Sequence, residues 1–105
     1  MTSDYLAKRF STVFSDSELS RITIKENASE KTVIIDVHGL NKNQAERFIR
    51  NLINLGLGEC FTLTIIHGFR HGDAIKNMLS SFTHPKVFDN QLDFVNPGVT
   101  HLAVA

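Results

Sequence analysis

Apolar positions recur along this chain with two different periods. Leu6, Phe10, Val13 and Phe14 fall at i, i+4, i+7 and i+8, which predicts a short amphipathic helix over residues 4–14. Arg21-Ile22-Thr23-Ile24-Lys25 alternates polar and apolar instead, the pattern of an edge strand. Residues 32–37 (TVIIDV) form a nearly continuous β-branched run, the texture of a buried parallel strand. Asn41 then offers a helix cap, and Gln44 three residues on completes a variant of the capping box. Ala45, Phe48, Ile49, Leu52, Ile53 and Leu55 give that helix its apolar stripe, and Gly56 and Gly58 end it. Residues 61–66 (FTLTII) read as a second strand. Ile75, Met78, Leu79 and Phe82 mark a second helix that must stop before Pro85. Residues 87–95 and 99–104 read as strands on either side of the turn signal Asn96-Pro97-Gly98.

From residue 31 the order is strand, helix, strand, helix, strand, strand. It predicts an α/β fold of the two-layer α+β kind, with a four-stranded mixed sheet and a last strand antiparallel to its neighbours. Right-handed crossovers put both helices on one face. Residues 1–30, more polar and serine-rich, read as an N-terminal helical extension, and residues 31–105 as the domain. In this topology the loops after the first two strands emerge at one edge of the sheet, where ligands bind in such folds.

Composition narrows the chemistry. Eleven basic residues balance eleven acidic ones, which argues against coating nucleic acid by bulk charge, so any such contact must be local and shaped. Cys60 is the only cysteine, so neither an intrachain disulfide nor a cysteine zinc cluster is available, and Cys60 itself reads as a small buried hydrophobe. The N-terminus lacks the basic start and apolar core of a signal peptide, and no apolar run approaches the ~20 residues of a membrane span. The expected location is the cytoplasm, with no membrane partner.

Chemistry gathers at the ends of the first two strands. Asp36 and His38 are two residues apart and leave the strand on the same side. At ~6.6 Å along an extended strand a direct hydrogen bond between them is awkward, so they are expected to bracket a phosphate, a water or a metal. An acid paired with an imidazole also suits proton transfer near neutral pH. The second strand runs into His67-Gly68-Phe69-Arg70-His71-Gly72, a loop that invites close approach of a ligand to the backbone. Helix N-termini near Asn41 and Asp73 would offer amides to an anion at this edge, and Arg70 a guanidinium. Each residue also has a plainer reading. Asp36 can satisfy loop amides or cap a helix, and His67 can orient a loop. Lys42, Arg47 and Arg50 form a solvated helix face, on which Lys42 is the candidate for a backbone phosphate. His84 and His101 read as surface or strand residues. No cofactor is expected; a divalent metal held by Asp36, His38 and His71 is the alternative.

At these residues the sequence resembles the Smr (small MutS-related) domain family. Ile35-Asp36-Val37-His38-Gly39-Leu40 is similar to its aspartate-x-histidine-glycine motif. Ile66-His67-Gly68 followed by Gly72 is similar to its HGxGxG motif, with Phe69 and Arg70 where the family has a basic residue and a glycine. Gly98-Val99-Thr100 is similar to the opening of its last strand. The resemblance covers about residues 31–104. It implies the βαβαββ sheet also found in the C-terminal domain of translation initiation factor 3. It also implies nucleic-acid binding, with nicking of DNA or cleavage of RNA. Asp36, His38 and His67 then become the catalytic candidates, and Gly39, Gly68, Arg70, His71, Gly72 and Lys42 the nucleic-acid-binding ones. The alternative readings are a non-catalytic module that binds nucleic-acid structure, and an interaction adaptor or self-associating protein working through the N-terminal helix.

Overall fold

A computed structural model describes residues 3–55, 60–68 and 73–105, with residues 3–7 as backbone only. Nine elements follow in order: α1 (Ser3–Val13), α2 (Asp16–Leu19), β1 (Ile22–Glu26), β2 (Lys31–Asp36), α3 (Lys42–Asn54), β3 (Phe61–Ile66), α4 (Ala74–Ser80), β4 (Val87–Leu92) and β5 (Val99–Val104). The fold is α+β, and the sheet is mixed with strand order β1-β2-β3-β5-β4. The sheet has five strands rather than the four expected, because the alternating segment at Ile22 pairs antiparallel with β2 as an edge strand. The texture change at residue 30 thus falls between two paired strands, and the N-terminal stretch shares one sheet with the rest.

β2 and β3 are parallel. β5 is antiparallel to both β3 and β4, so β2, β3 and β4 all point the same way. Their C-terminal ends, and the loops that follow them, therefore share one edge.

One face of the sheet is covered and the other is not. Val33 and Ile35 of β2, Leu63 and Ile65 of β3, and Leu102 of β5 are fully buried, while their neighbours Thr32, Ile34, Asp36, Thr62, Thr64 and Ile66 are half-buried. The TVIID run thus has the texture of a doubly covered strand but lies in a two-layer fold, with Thr32, Ile34 and Asp36 on the uncovered side. α3 brings Ala45, Phe48, Ile49, Leu52 and Ile53 to the covered face, and α4 brings Ile75 and Leu79, all in a single core cluster. Phe10 and Phe14 of the N-terminal stretch belong to the same cluster, Phe14 meeting Phe48 edge-on at 5.2 Å between ring centres. Arg9 donates to the carbonyl of Leu55 just beyond the last turn of α3, where a helix presents unpaired acceptors. The apolar stripe of α1 is therefore folded inward at Phe10 and Phe14, while Val13 stays exposed.

Local chemistry explains the element ends. Asn41 caps α3 through its Oδ1, which accepts from Gln44 N–H at 2.8 Å, and Gln44 Oε1 accepts from Asn41 N–H at 3.1 Å. β4 stops at Leu92, short of the expected residue 95, because Asp93 Oδ2 accepts from the N–H groups of both Val95 and Asn96 and turns the chain. Arg50 is not a free member of a solvated face. It pairs with Glu46 at 3.0 Å, donates to the Thr83 carbonyl and lies 4.4 Å over the Phe82 ring. Cys60, expected to be buried, is exposed, since it precedes the first inward residue of β3, Phe61. No helix among the described residues is long and apolar enough to cross a membrane.

Candidate functional site

The parallel register sets Asp36 opposite Ile66, and Val37 N–H donates to the Ile66 carbonyl one step further on. His38 and Gly68 are therefore neighbours across the strand ends: a Cβ built on Gly68 would lie 3.6 Å from the His38 Cβ. Both turns depend on glycine. Gly39 has φ 82° and Gly68 φ 73°, a region that costs other residues roughly 1–2 kcal/mol. Space is not the constraint at either position, as nothing lies within 4 Å of a Cβ at Gly39 and the contact at Gly68 is an ordinary one. Gly68→Ala is accordingly expected to lower stability by about 1–2 kcal/mol through backbone strain alone, read as a shift of the urea midpoint. Gly39→Ala should behave alike; an unchanged midpoint in both would remove the conformational argument.

The strand ends at Asp36, and the turn through Gly39 brings His38 back over the carboxylate. His38 Nδ1 hydrogen-bonds Asp36 Oδ1 directly, and His38 N–H donates to the same oxygen at 3.1 Å. The extended-strand spacing that made such a bond look awkward does not apply past residue 36. With Asp36 accepting at Nδ1, the neutral ring carries its proton there and leaves Nε2 as the basic nitrogen. The His38 side chain is 66 % exposed, and no described residue hydrogen-bonds its Nε2. An exposed basic nitrogen held by a carboxylate behind it is the arrangement a general base requires.

Arg21 is the residue that sequence reasoning missed. Its backbone carbonyl accepts from Asp36 N–H at 2.9 Å, continuing the β1–β2 ladder. Its Nη1 donates to the carbonyls of Asp36 at 3.0 Å and His38 at 3.2 Å. A guanidinium thus clamps the Asp36–His38 turn and sets a positive charge beside it. Pairing the alternating segment from Arg21 with the 32–37 strand would have signalled this, since an antiparallel edge strand ending there puts residue 21 next to residue 36.

His67 stands apart from this pair. It follows the inward residues Phe61, Leu63 and Ile65 and is only 7 % exposed. Its Nδ1–H donates to the Gly68 carbonyl at 2.9 Å, and its Nε2 accepts from the Thr100 hydroxyl at 2.9 Å. Both ring nitrogens are thus engaged within the protein. Burial lowers its pKa below the usual histidine value, the nearby Lys76 adding to this and the bond to Gly68 and the charge of Asp73 opposing it. The unfolded chain takes up a proton near pH 6.5 while the folded one resists. The stability from a neutral His67 is therefore full above about pH 6.5 and is lost as pH falls from there toward the lowered value. Urea midpoints measured from pH 8 to pH 5 should decline over that window, and His67→Gln should flatten the decline. His84, whose pKa burial also lowers, with help from Arg50 and Lys86, adds a residual slope of the same sign. An identical slope in His67→Gln would exclude this account.

The remaining candidates are less gathered. Lys42 is the first residue of α3, exposed at the same edge. The α3 N-terminus is partly occupied by its own capping box, so fewer amides are open to an anion than the sequence suggested. Arg70, His71 and Gly72 lie outside the described residues. Among the described residues, no three of His, Cys, Asp and Glu group closely enough to hold a metal ion. Compared with known proteins, the chain matches no family model, no curated protein and no solved structure.

Proposed function

We propose that this chain acts on nucleic-acid phosphodiesters, as an endonuclease that nicks DNA or cleaves RNA, with Asp36 and His38 at its centre. The observation that carries this reading is the exposed Asp36–His38 pair, hydrogen-bonded through Nδ1 at the edge where two parallel strands end. The motif resemblance to Smr domains supports it, and the finer fold that goes with this reading is that of the C-terminal domain of translation initiation factor 3. A cytoplasmic setting goes with that reading. In the proposed step His38 Nε2 takes a proton from a water molecule, whose oxygen forms a bond to phosphorus. The bond from phosphorus to the leaving oxygen breaks, and that oxygen takes a proton from solvent. Asp36 holds the imidazole in the productive tautomer and stabilises it when charged. Arg21 fixes the turn and, with Lys42 at the same edge, lowers the cost of bringing in a phosphate. His67 serves as a positioning residue, tying Gly68 to β5 through Thr100.

The test is incubation with end-labelled single-stranded, duplex and branched DNA and RNA, with and without divalent metal. Cleavage of at least one substrate is the expected result. Binding with no cleavage under any condition would replace the enzyme with a non-catalytic module. Neither binding nor cleavage would end the nucleic-acid reading.

A further inference from the structure

The β4–β5 hairpin tip holds the most exposed apolar residues of the described chain. Phe94 is 99 % exposed and Val95 90 %. Because β4 runs parallel to β2 and β3, this tip lies at the same sheet edge as Asp36 and His38. It is also wired to that edge, since the Gly98 carbonyl accepts from the N–H groups of His67 at 2.8 Å and Gly68 at 3.0 Å.

The tip is held in place. Besides the Asp93 Oδ2 bonds to Val95 and Asn96, Asn96 Oδ1 accepts from Gly98 N–H at 2.9 Å. Asp93 N–H donates to the Val99 carbonyl at 2.9 Å. Asp93 Oδ1 accepts from His101 Nε2 at 2.7 Å, and His101 Nδ1 meets Thr64 Oγ1 at 3.0 Å. A benzyl group is thus presented to solvent on an ordered turn, so little backbone order remains to be lost when something covers it.

The surroundings discriminate among occupants. A stable protein interface buries about 800 Å² per partner, whereas the apolar tip consists of Phe94, Val95 and the half-exposed Leu92, flanked by Asp93 and Asn96. The other exposed aromatic among the described residues, Phe88, sits at the opposite end of β4. Antiparallel pairing of β4 with a second copy in the register centred on Gln91 would set Asp89 of each chain opposite Asp93 of the other. No lysine or arginine follows Lys86 to offset that repulsion, so the described cations that meet a phosphate backbone at this edge are Arg21 and Lys42, at its β2 end. A flat, uncharged ring face suits the tip better. The nucleic-acid reading supplies one, and β4 lies three interstrand spacings from β2, about 14 Å at ~4.8 Å each, close to four stacked nucleotides at ~3.4 Å.

Resting on that reading, we infer that Phe94 is a stacking platform for an unpaired nucleobase, so that the substrate is single-stranded where it crosses this edge. Bases buried in a duplex have no free face to offer, whereas an aromatic side chain stacks on any unpaired base whatever its identity.

The chain contains no tryptophan and one tyrosine, Tyr5, so Phe94→Trp places a single tryptophan, excitable apart from the tyrosine, at the tip. Titration with unlabelled 12-nucleotide single strands of DNA or RNA should quench its emission, and a blunt duplex of the same sequence should not. By fluorescence anisotropy, Phe94→Ala should weaken single-strand binding roughly 5- to 100-fold, Phe94→Tyr should retain it, and duplex affinity should stay unchanged. Wild-type binding or cleavage that Phe94→Ala leaves intact, or an equal loss for single strand and duplex, would overturn the platform while sparing the proposed function. A concentration-dependent dimer in light scattering that Phe94→Ala abolishes would overturn it in favour of a second copy. No binding of the wild type to any strand would overturn both, whereas Phe94-dependent binding without cleavage would remove only the endonuclease.

Discussion

Asp36→Asn is expected to reduce phosphodiester cleavage by about 10²–10⁴-fold, the usual range for loss of a general base, while the protein stays folded. The substitution keeps the shape of the side chain but changes what His38 meets. An amide can donate to Nδ1 as readily as it accepts from it, which moves the ring proton to Nε2, the nitrogen that must receive one. It also removes the charge that stabilises the imidazolium. His38→Ala should produce a loss of similar size, and free imidazole in the buffer should restore part of it. Binding should survive Asp36→Asn and tighten slightly, because a carboxylate no longer faces the phosphate. Single-turnover cleavage and anisotropy on one labelled strand separate the two effects. Unfolding of Asp36→Asn, judged by circular dichroism, would instead make the carboxylate structural, in keeping with the bond it accepts from His38 N–H.

The contrast between Asp36 and His67 shows what was legible in the sequence. The β2–α3–β3 crossover, the Asn41–Gln44 cap and the Asn96-Pro97-Gly98 turn are local in sequence and could be read from spacing. They were enough to put the two strand ends side by side. The direct Asp36–His38 hydrogen bond was not legible from strand geometry, because it forms where the strand stops and the left-handed Gly39 takes over. His67 needed its partner Thr100, which lies on another strand, before a titratable candidate could be seen as a buried tie. Arg21 was hidden for a different reason. It belongs to a stretch whose polar texture suggested an appendage, and only strand pairing brings its guanidinium to the Asp36–His38 turn. The candidate residues carried by one segment were visible in advance, whereas the contacts of Arg21 and Thr100, assembled by antiparallel pairing, were not.

That same N-terminal stretch gives the largest expected effect on stability. Phe10 is 1 % exposed, and its ring lies 6.0 Å from that of Phe14, which in turn packs on Phe48 of α3. Phe10→Ala should cost about 3–5 kcal/mol, combining the lost apolar transfer with the cavity left behind. Against a total of roughly 5–15 kcal/mol for a domain, that is a large share, and the urea midpoint should fall accordingly. Val13, one turn further along the same helix and 51 % exposed, serves as the control. Val13→Ala should change stability by less than about 0.5 kcal/mol. The pair also separates two roles for the helix. If its apolar stripe served to dock a partner or a second copy, Phe10→Ala would weaken association and leave the isolated chain nearly as stable as before. Equal, small effects of the two substitutions on the urea midpoint would show that α1 is peripheral to the core.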